Sequence, residues 1–211
     1  MKYKTTITKI INETYDTKTF MIKKPANFKY EPGHFCMIRT GEQEIAKPFS
    51  LSSSPHEKTL DFTIKKVGEM TTKMFELKKG SEIIIEGPFG EPFKKENCNK
   101  YAFIAGGTGI DPIYGFAKNM EHENKNVQIT IFYSSKTLDD VLFKKNFDLM
   151  KKVKVIYFLT NENKKINGMI NSRINAEKIL ENIEKPKDWK WKAIGPSNMV
   201  VDMNKIISKI T

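Results

Sequence analysis

The chain has 211 residues, 36 Lys+Arg against 25 Asp+Glu, a formal charge of +11, and 39% apolar residues. With 14 Phe, 7 Tyr and 2 Trp there is ample material for a core, which excludes a disordered chain. No apolar run nears the roughly 20 residues of a membrane span, and Cys36 and Cys98 alone cannot complete a four-cysteine zinc or iron–sulfur site.

The opening MKYKTTITKI alternates apolar and polar residues, so it reads as a strand rather than a secretory leader. With reduced thiols, a cytoplasmic location is expected. Extended runs follow at Thr17 to Ile22, Phe35 to Ile38 after the turn Glu31-Pro32-Gly33, Phe49 to Ser52, Leu60 to Val67 and Glu82 to Glu86. A short helix is predicted at Thr71 to Leu77, where Met70, Met74 and Leu77 recur at helical spacing. Short strands at this spacing predict a small antiparallel barrel or sandwich.

The period then changes. Tyr101 to Ala105 is a continuous apolar run, as a strand buried on both faces requires. The Gly106-Gly107-Thr108-Gly109 turn follows, then a helix with Ile113, Phe116, Ala117 and Met120, capped by Asp111 with Pro112 at its first position. Strands are predicted at Val127 to Tyr133, Val153 to Leu159 and Trp189 to Ile194. Helices are predicted at Leu138 to Met150, Ala176 to Ile183 and Ser197 to Ile210. Strand–helix alternation predicts a parallel sheet with helices on both faces. The boundary falls in the polar stretch 94–100, giving domains 1–97 and 98–211.

The lysines are dispersed: residues 1–97 carry 17 basic against 13 acidic side chains, and residues 98–211 carry 19 against 12. A nucleic-acid surface would need them gathered on one face, so no nucleic-acid partner is expected. Spread charge suits an acidic protein partner or an anionic nucleotide.

The glycine turn after Ala105 lets a backbone approach a diphosphate at a helix N-terminus, although read alone it is equally a tight strand-to-helix junction. Gly195-Pro196 ends the last strand of the same sheet, and a second glycine turn on one sheet edge favours a cleft. Ser135 and Lys136 offer a hydroxyl and a cation where an adenosine ribose commonly reaches. In the first half, Lys47-Pro48-Phe49-Ser50 and the serines after it combine a cation, an aromatic ring and hydroxyls, groups that suit a phosphate and a flat heteroaromatic ring. Gly68 to Thr72 opens the lone helix there. His34, His56 and His122 are scattered and form no acid–base triad.

The order KPFSLSSSP, VGEMTTKM, GPFG, GGTGIDP, YSSK and GPSNM resembles the ferredoxin–NADP⁺ reductase-like flavoprotein family across nearly the whole chain. The resemblance implies an N-terminal Greek-key antiparallel β-barrel that holds flavin, followed by a doubly wound parallel α/β domain that binds NAD(P). It implies an NAD(P)H oxidoreductase with FAD, FMN being the alternative. Its acceptor would be an acidic carrier such as ferredoxin or flavodoxin, or a small molecule. Two other readings stand beside it: a non-catalytic electron-transfer subunit, and a basic nucleotide-binding or nucleic-acid-binding module.

By the same resemblance Lys47 meets the flavin phosphate, Pro48 belongs to the flavin-binding segment, Phe49 stacks on the isoalloxazine and Ser50 lies near flavin N5. Ile64 and Lys66 offer backbone to the pyrimidine end, and Gly68, Thr71 and Thr72 hold phosphate. Gly107, Thr108, Gly109 and Pro112 match the dinucleotide pyrophosphate motif, and Ser135 and Lys136 match the positions that read a 2′-phosphate, implying NADPH over NADH. Gly195, Pro196 and Met199 lie beside the nicotinamide, with Ile194 where many members place a cysteine. Lys47 stands for the family's arginine, Phe49 for its tyrosine and His34 for its glutamine.

Overall fold

The computed structural model describes residues 1–93, 98–124 and 126–211; of the predicted boundary stretch 94–100, residues 94–97 lie outside them. The chain divides into two compact units. One is Met1–Lys94 with Asp111–Glu123, the other Lys95–Ile110 with Asn124–Thr211.

The first unit is built on six antiparallel strands, β1 (Lys2–Asn12), β2 (Thr17–Lys23), β3 (Phe35–Arg39), β4 (Lys47–Ser50), β5 (Thr59–Lys65) and β6 (Glu82–Phe89). Their order, β4-β3-β6-β1-β2-β5, brings β6 back beside β1, a Greek-key return. Period-two alternation puts Ile7, Phe20, Ile22, Ile38, Phe62, Ile64, Ile83 and Ile85 inside, each at most 1% exposed. Burial of such a side chain contributes about 1.5–3 kcal/mol. Helix α1 (Glu69–Glu76) plugs this core with Met70 and Met74, the residues whose spacing predicts it. Helix α2 (Asp111–His122) belongs to this unit, because Gly115 lets it approach the main chain of Leu51 to Ser53. A Cβ at Gly115 would lie 2.8 Å from the Ser53 carbonyl oxygen.

The second unit carries a parallel sheet of β7 (Lys100–Gly106), β8 (Gln128–Ser135), β9 (Val153–Leu159), β10 (Met169–Ile170) and β11 (Lys190–Ile194), in the order β10-β9-β8-β7-β11. The chain steps outward from β7 to β10, then returns to β7's other side as β11, a doubly wound pattern with its switch between β7 and β11. Helices α3 (Lys144–Phe147), α4 (Ala176–Leu180) and α5 (Ser197–Ile210) complete it. Ala102, Ile104, Phe132, Phe158 and Ile179 form its core, each fully buried, with Met203 of α5 packed among them.

One predicted helix is interrupted. Residues 138–147 hold a 3₁₀ turn, Leu138–Asp140, then Phe143 in the left-handed region at φ 58°, then only the four residues of α3. The Leu142 N–H donates to the Tyr133 hydroxyl at 3.3 Å rather than to a helical carbonyl. Burial of Phe143 and Phe147 on one side produces the apolar spacing without a continuous helix. Strand β10 has no counterpart among the sequence expectations; two half-buried residues carry too little pattern. Among the described residues, no helix is long and apolar enough to cross a membrane.

Candidate functional site

In the first unit a cavity of about 750 Å³ opens between β4, the loop before it, and the start of α1. Lys47, Pro48, Phe49, Gly68 and Thr71 line it, so the structure brings together five of the residues singled out from sequence. Strand β4 positions three of them by pairing Cys36 with Phe49 and Ile38 with Lys47. The Phe49 ring is half-buried, and Lys47 is the single lysine among the lining residues.

Thr71 acts differently from the phosphate hydroxyl expected of it. Its Oγ1 accepts the N–H groups of Val67 and Gly68, both at 2.9 Å, and its hydroxyl donates to the Gly68 carbonyl. The side chain is therefore spent on closing the helix start, as a capping residue does. The Thr72 N–H donates to the Gly68 carbonyl as the first helical bond. The N–H groups of Glu69, Met70 and Thr71 are left without intrahelical acceptors. Those donors and the positive end of the helix suit an anion, and a Cβ on Gly68 would meet nothing within 4 Å, so a ligand can approach there. Thr71→Val is expected to cost about 1–2 kcal/mol in urea unfolding, with Thr71→Ser close to wild type. Equal losses in both variants would refute the capping role.

The other first-unit residues separate. Ser50 ends β4, half-buried and paired with Phe35, outside the cavity lining. Ser52, Ser53 and Ser54 are interior: Ser52 donates to the Asp61 carbonyl, and Ser53 lies 2.7 Å from the Tyr30 hydroxyl. The Ile64 side chain is in the core, and the Lys66 N–H donates to the Asp16 carbonyl at 2.8 Å. Gln43, Glu44 and Ile45 line the cavity without any sequence signal, since the loop is simply polar. Lys73 of α1 pins that loop through Glu44 at 2.8 Å and pairs within the helix with Glu69 at 3.1 Å, and these carboxylates, Glu44 foremost, raise its pKa.

In the second unit the glycine turns meet at the switch point. A Cβ on Gly109 would lie 2.4 Å from the Ile194 carbonyl oxygen, and one on Gly195 would lie 3.0 Å from the Gly106 N. Met199 packs by its Sδ and Cε against the places where Cβ atoms of Gly106 and Gly195 would be. Gly109 and Gly195 therefore allow main chain to touch main chain, and Gly106 makes room for the Met199 and Pro196 side chains. Gly107 differs: its φ is +55° and a Cβ there would meet nothing within 4 Å, so its face is open. Thr108 is half-buried and Pro196 is exposed. Pro112 is buried at the start of α2, in the first unit.

Ser135 and Lys136 end β8. The Ser135 Oγ is buried and has no hydrogen-bond partner among the described residues, whereas Lys136 is exposed. The turn is closed by Asp140, whose Oδ2 accepts the Thr137 N–H at 3.0 Å and its hydroxyl at 2.7 Å.

The histidines are less scattered than their sequence positions imply. His56 and His122 stack with ring centroids 4.0 Å apart, and they line a separate cavity of about 260 Å³ with Ser54, Glu57, Lys118 and Glu121. His34 Nδ1 accepts the Glu31 N–H and shapes a turn. Among the described residues, no three metal-ligating side chains are grouped.

Residues 4–93 match the family described as "Oxidoreductase FAD-binding domain", and residues 103–205 match "Oxidoreductase NAD-binding domain". The chain belongs to the ferredoxin–NADP⁺ reductase-like flavoprotein family. It carries the FAD-binding and the NAD-binding domain of that family. It is 36% identical over 139 residues to a probable dihydroorotate dehydrogenase B (NAD(+)) electron transfer subunit of Thermococcus kodakarensis, covering 64% of this chain and 54% of that one. It is 29% identical over 196 residues to an NADH-cytochrome b5 reductase 2-A of Vanderwaltozyma polyspora, covering 85% and 66%. The chain thus spans about half to two thirds of these relatives' length. Its fold is similar to that of a ferredoxin NADP+ reductase from Neisseria gonorrhoeae with bound FAD and NADP, at a TM-score of 0.87 and 17% identity, covering 99% of this chain and 91% of that one.

Proposed function

We propose that this chain takes reducing equivalents from NAD(P)H through a flavin and delivers them to a separate electron acceptor. The observation that carries the reading is the 750 Å³ cavity, where a cation, an aromatic ring and a helix N-terminus converge. Its size suits a small-molecule ligand. When bound, a flavin supplies the hydride-accepting and electron-releasing chemistry that no side chain here offers.

The chain's own residues hold and orient. Phe49 offers a half-buried ring face, and Lys47 with the N–H groups of Glu69 to Thr71 offers positive charge to phosphate. Gly107 offers an open backbone surface to a dinucleotide pyrophosphate, and Ile194 offers bulk without a thiol at the nicotinamide side. Choice between NADH and NADPH belongs to the turn after β8; Lys136 alone favours NADPH, and the carboxylates of that turn oppose it. The +11 charge favours an acidic protein as acceptor. A second reading, electron-transfer subunit of a larger enzyme, is favoured by the Thermococcus kodakarensis relative and shares every step within this chain.

The purified chain is expected to be yellow, or to become so with added FAD, and to bleach on anaerobic titration with NADH or NADPH. Lys47→Ala is expected to weaken flavin retention about tenfold to a hundredfold, the loss of a charge-assisted contact worth roughly 1.5–3 kcal/mol. A colourless protein that takes up no flavin overturns the reading, and unchanged flavin affinity in Lys47→Ala removes that lysine's role.

A further inference from the structure

Glu162 lies in the loop after β9, 24 residues beyond the turn that it touches. Its Oε2 accepts the Leu138 N–H at 3.2 Å, and its Oε1 accepts the Lys164 N–H at 3.3 Å. Two backbone bonds hold the loop there: the Thr160 N–H donates to the Ser135 carbonyl at 3.0 Å and the Asn161 N–H to the Lys136 carbonyl at 2.8 Å. The turn that Glu162 touches also carries Asp140, bound to Thr137, and follows Ser135, whose buried hydroxyl has no partner among the described residues. The backbone bonds, that of Leu138 foremost, lower the Glu162 pKa, so the group is charged at neutral pH.

At this end of the second strand of a doubly wound sheet, a carboxylate accepts ribose hydroxyls and repels a 2′-phosphate, whereas a cation does the reverse. Here Lys136 is exposed, and the next residues of the turn hold two carboxylates in place by main-chain hydrogen bonds, Asp140 on the Thr137 N–H and Glu162 on the Leu138 N–H. Salt screens the lysine and the carboxylates alike, but hydrogen bonds fix the carboxylates at the turn.

We propose that Glu162 is a specificity-determining residue of the nucleotide site, selecting the free ribose 2′-hydroxyl of NADH against the 2′-phosphate of NADPH. The proposal rests on the nucleotide-binding reading above and reverses the preference that Lys136 by itself implies. Glu162→Gln keeps an oxygen for the Leu138 N–H while removing the charge; Glu162→Asp keeps the charge.

The test is calorimetric binding of 5′-AMP and of 2′,5′-ADP to the full chain at pH 7 and low salt. Glu162→Gln is expected to tighten 2′,5′-ADP about fivefold to tenfold and to change 5′-AMP less than twofold, with Glu162→Asp retaining the wild-type ratio. The ratio of NADPH to NADH efficiency should rise in Glu162→Gln in the same direction. Unchanged discrimination, or equal weakening of both ligands as a collapsed loop would cause, overturns the role of Glu162 while leaving the nucleotide site standing. Binding of neither ligand to the wild-type chain overturns the nucleotide reading itself, and this inference with it.

Discussion

Gly109→Ala is expected to lower the thermal midpoint by about 6–12 °C, whereas Gly107→Ala, two residues away, lowers it by only about 2–4 °C. At Gly109 the new methyl would stand 2.4 Å from the Ile194 carbonyl oxygen, 2.7 Å from its carbon and 2.9 Å from the Gly195 Cα. All three are main-chain atoms at the end of β11, so no rotamer change relieves the clash and the strand end must move. Overpacking of this kind costs about 3 kcal/mol. At Gly107 the methyl meets no atom, and the penalty is the left-handed backbone alone, about 1 kcal/mol. The binding consequences run the other way. The methyl added by Gly107→Ala fills the open face where a pyrophosphate would approach, so nucleotide affinity should fall at least about tenfold in a protein that still folds. Melting curves read with NADH titrations separate the two glycines. Equal destabilisation would show that the strand ends are not in contact as described.

That difference between neighbouring glycines explains what the sequence could and could not say. The motif GGTGIDP is visible as a turn opening a helix, but at the switch point Gly109 and Gly195 serve main-chain contact, Gly106 makes room for side chains and Gly107 faces open space. A glycine carries no side chain to signal which it is. The strands were legible because alternation and apolar runs are local, from Ile7 through Ile85 and from Tyr101 to Ile194. The stretch after Thr137 was not, because the bond that breaks the helix comes from Tyr133 on another element. The serines after Lys47 read as ligand hydroxyls, yet Ser52 and Ser53 satisfy interior groups of β5 and Tyr30. Thr71 likewise reads as a phosphate contact and serves as a cap. Glu162 was invisible because its partner lies across a loop closure that no periodicity reports.

Asp111 carries the other large expected effect, in the dependence of stability on pH. Sequence reading makes it a helix cap; the structure makes it the first residue of α2, fully buried, with an Oδ1 that has no hydrogen-bond partner among the described residues. A carboxylate at a helix N-terminus gains about 0.3–1 kcal/mol from the dipole when exposed. Loss of hydration outweighs that gain in the interior. Burial first, and the nearby Glu13 carboxyl second, push the Asp111 pKa well above the ordinary carboxylate value. Glu13 is itself raised by burial, against the Thr19 hydroxyl that donates to it at 2.7 Å, and Asp61 is raised by burial as well. The folded chain therefore holds more protons than the unfolded chain at pH values above that ordinary value. The resulting contribution to stability is fully present below the unfolded pKa and is lost as pH rises through the folded one. The contribution of Asp111 should accordingly decline from about pH 4 upward. Asp111→Asn, which matches the protonated acid in shape and cannot ionise, should resemble wild type near pH 4, exceed it near pH 8 and flatten the profile between. Urea unfolding at both pH values decides the matter: a difference between the two proteins that stays constant across that range would mean that Asp111 ionises in the folded chain as freely as in water.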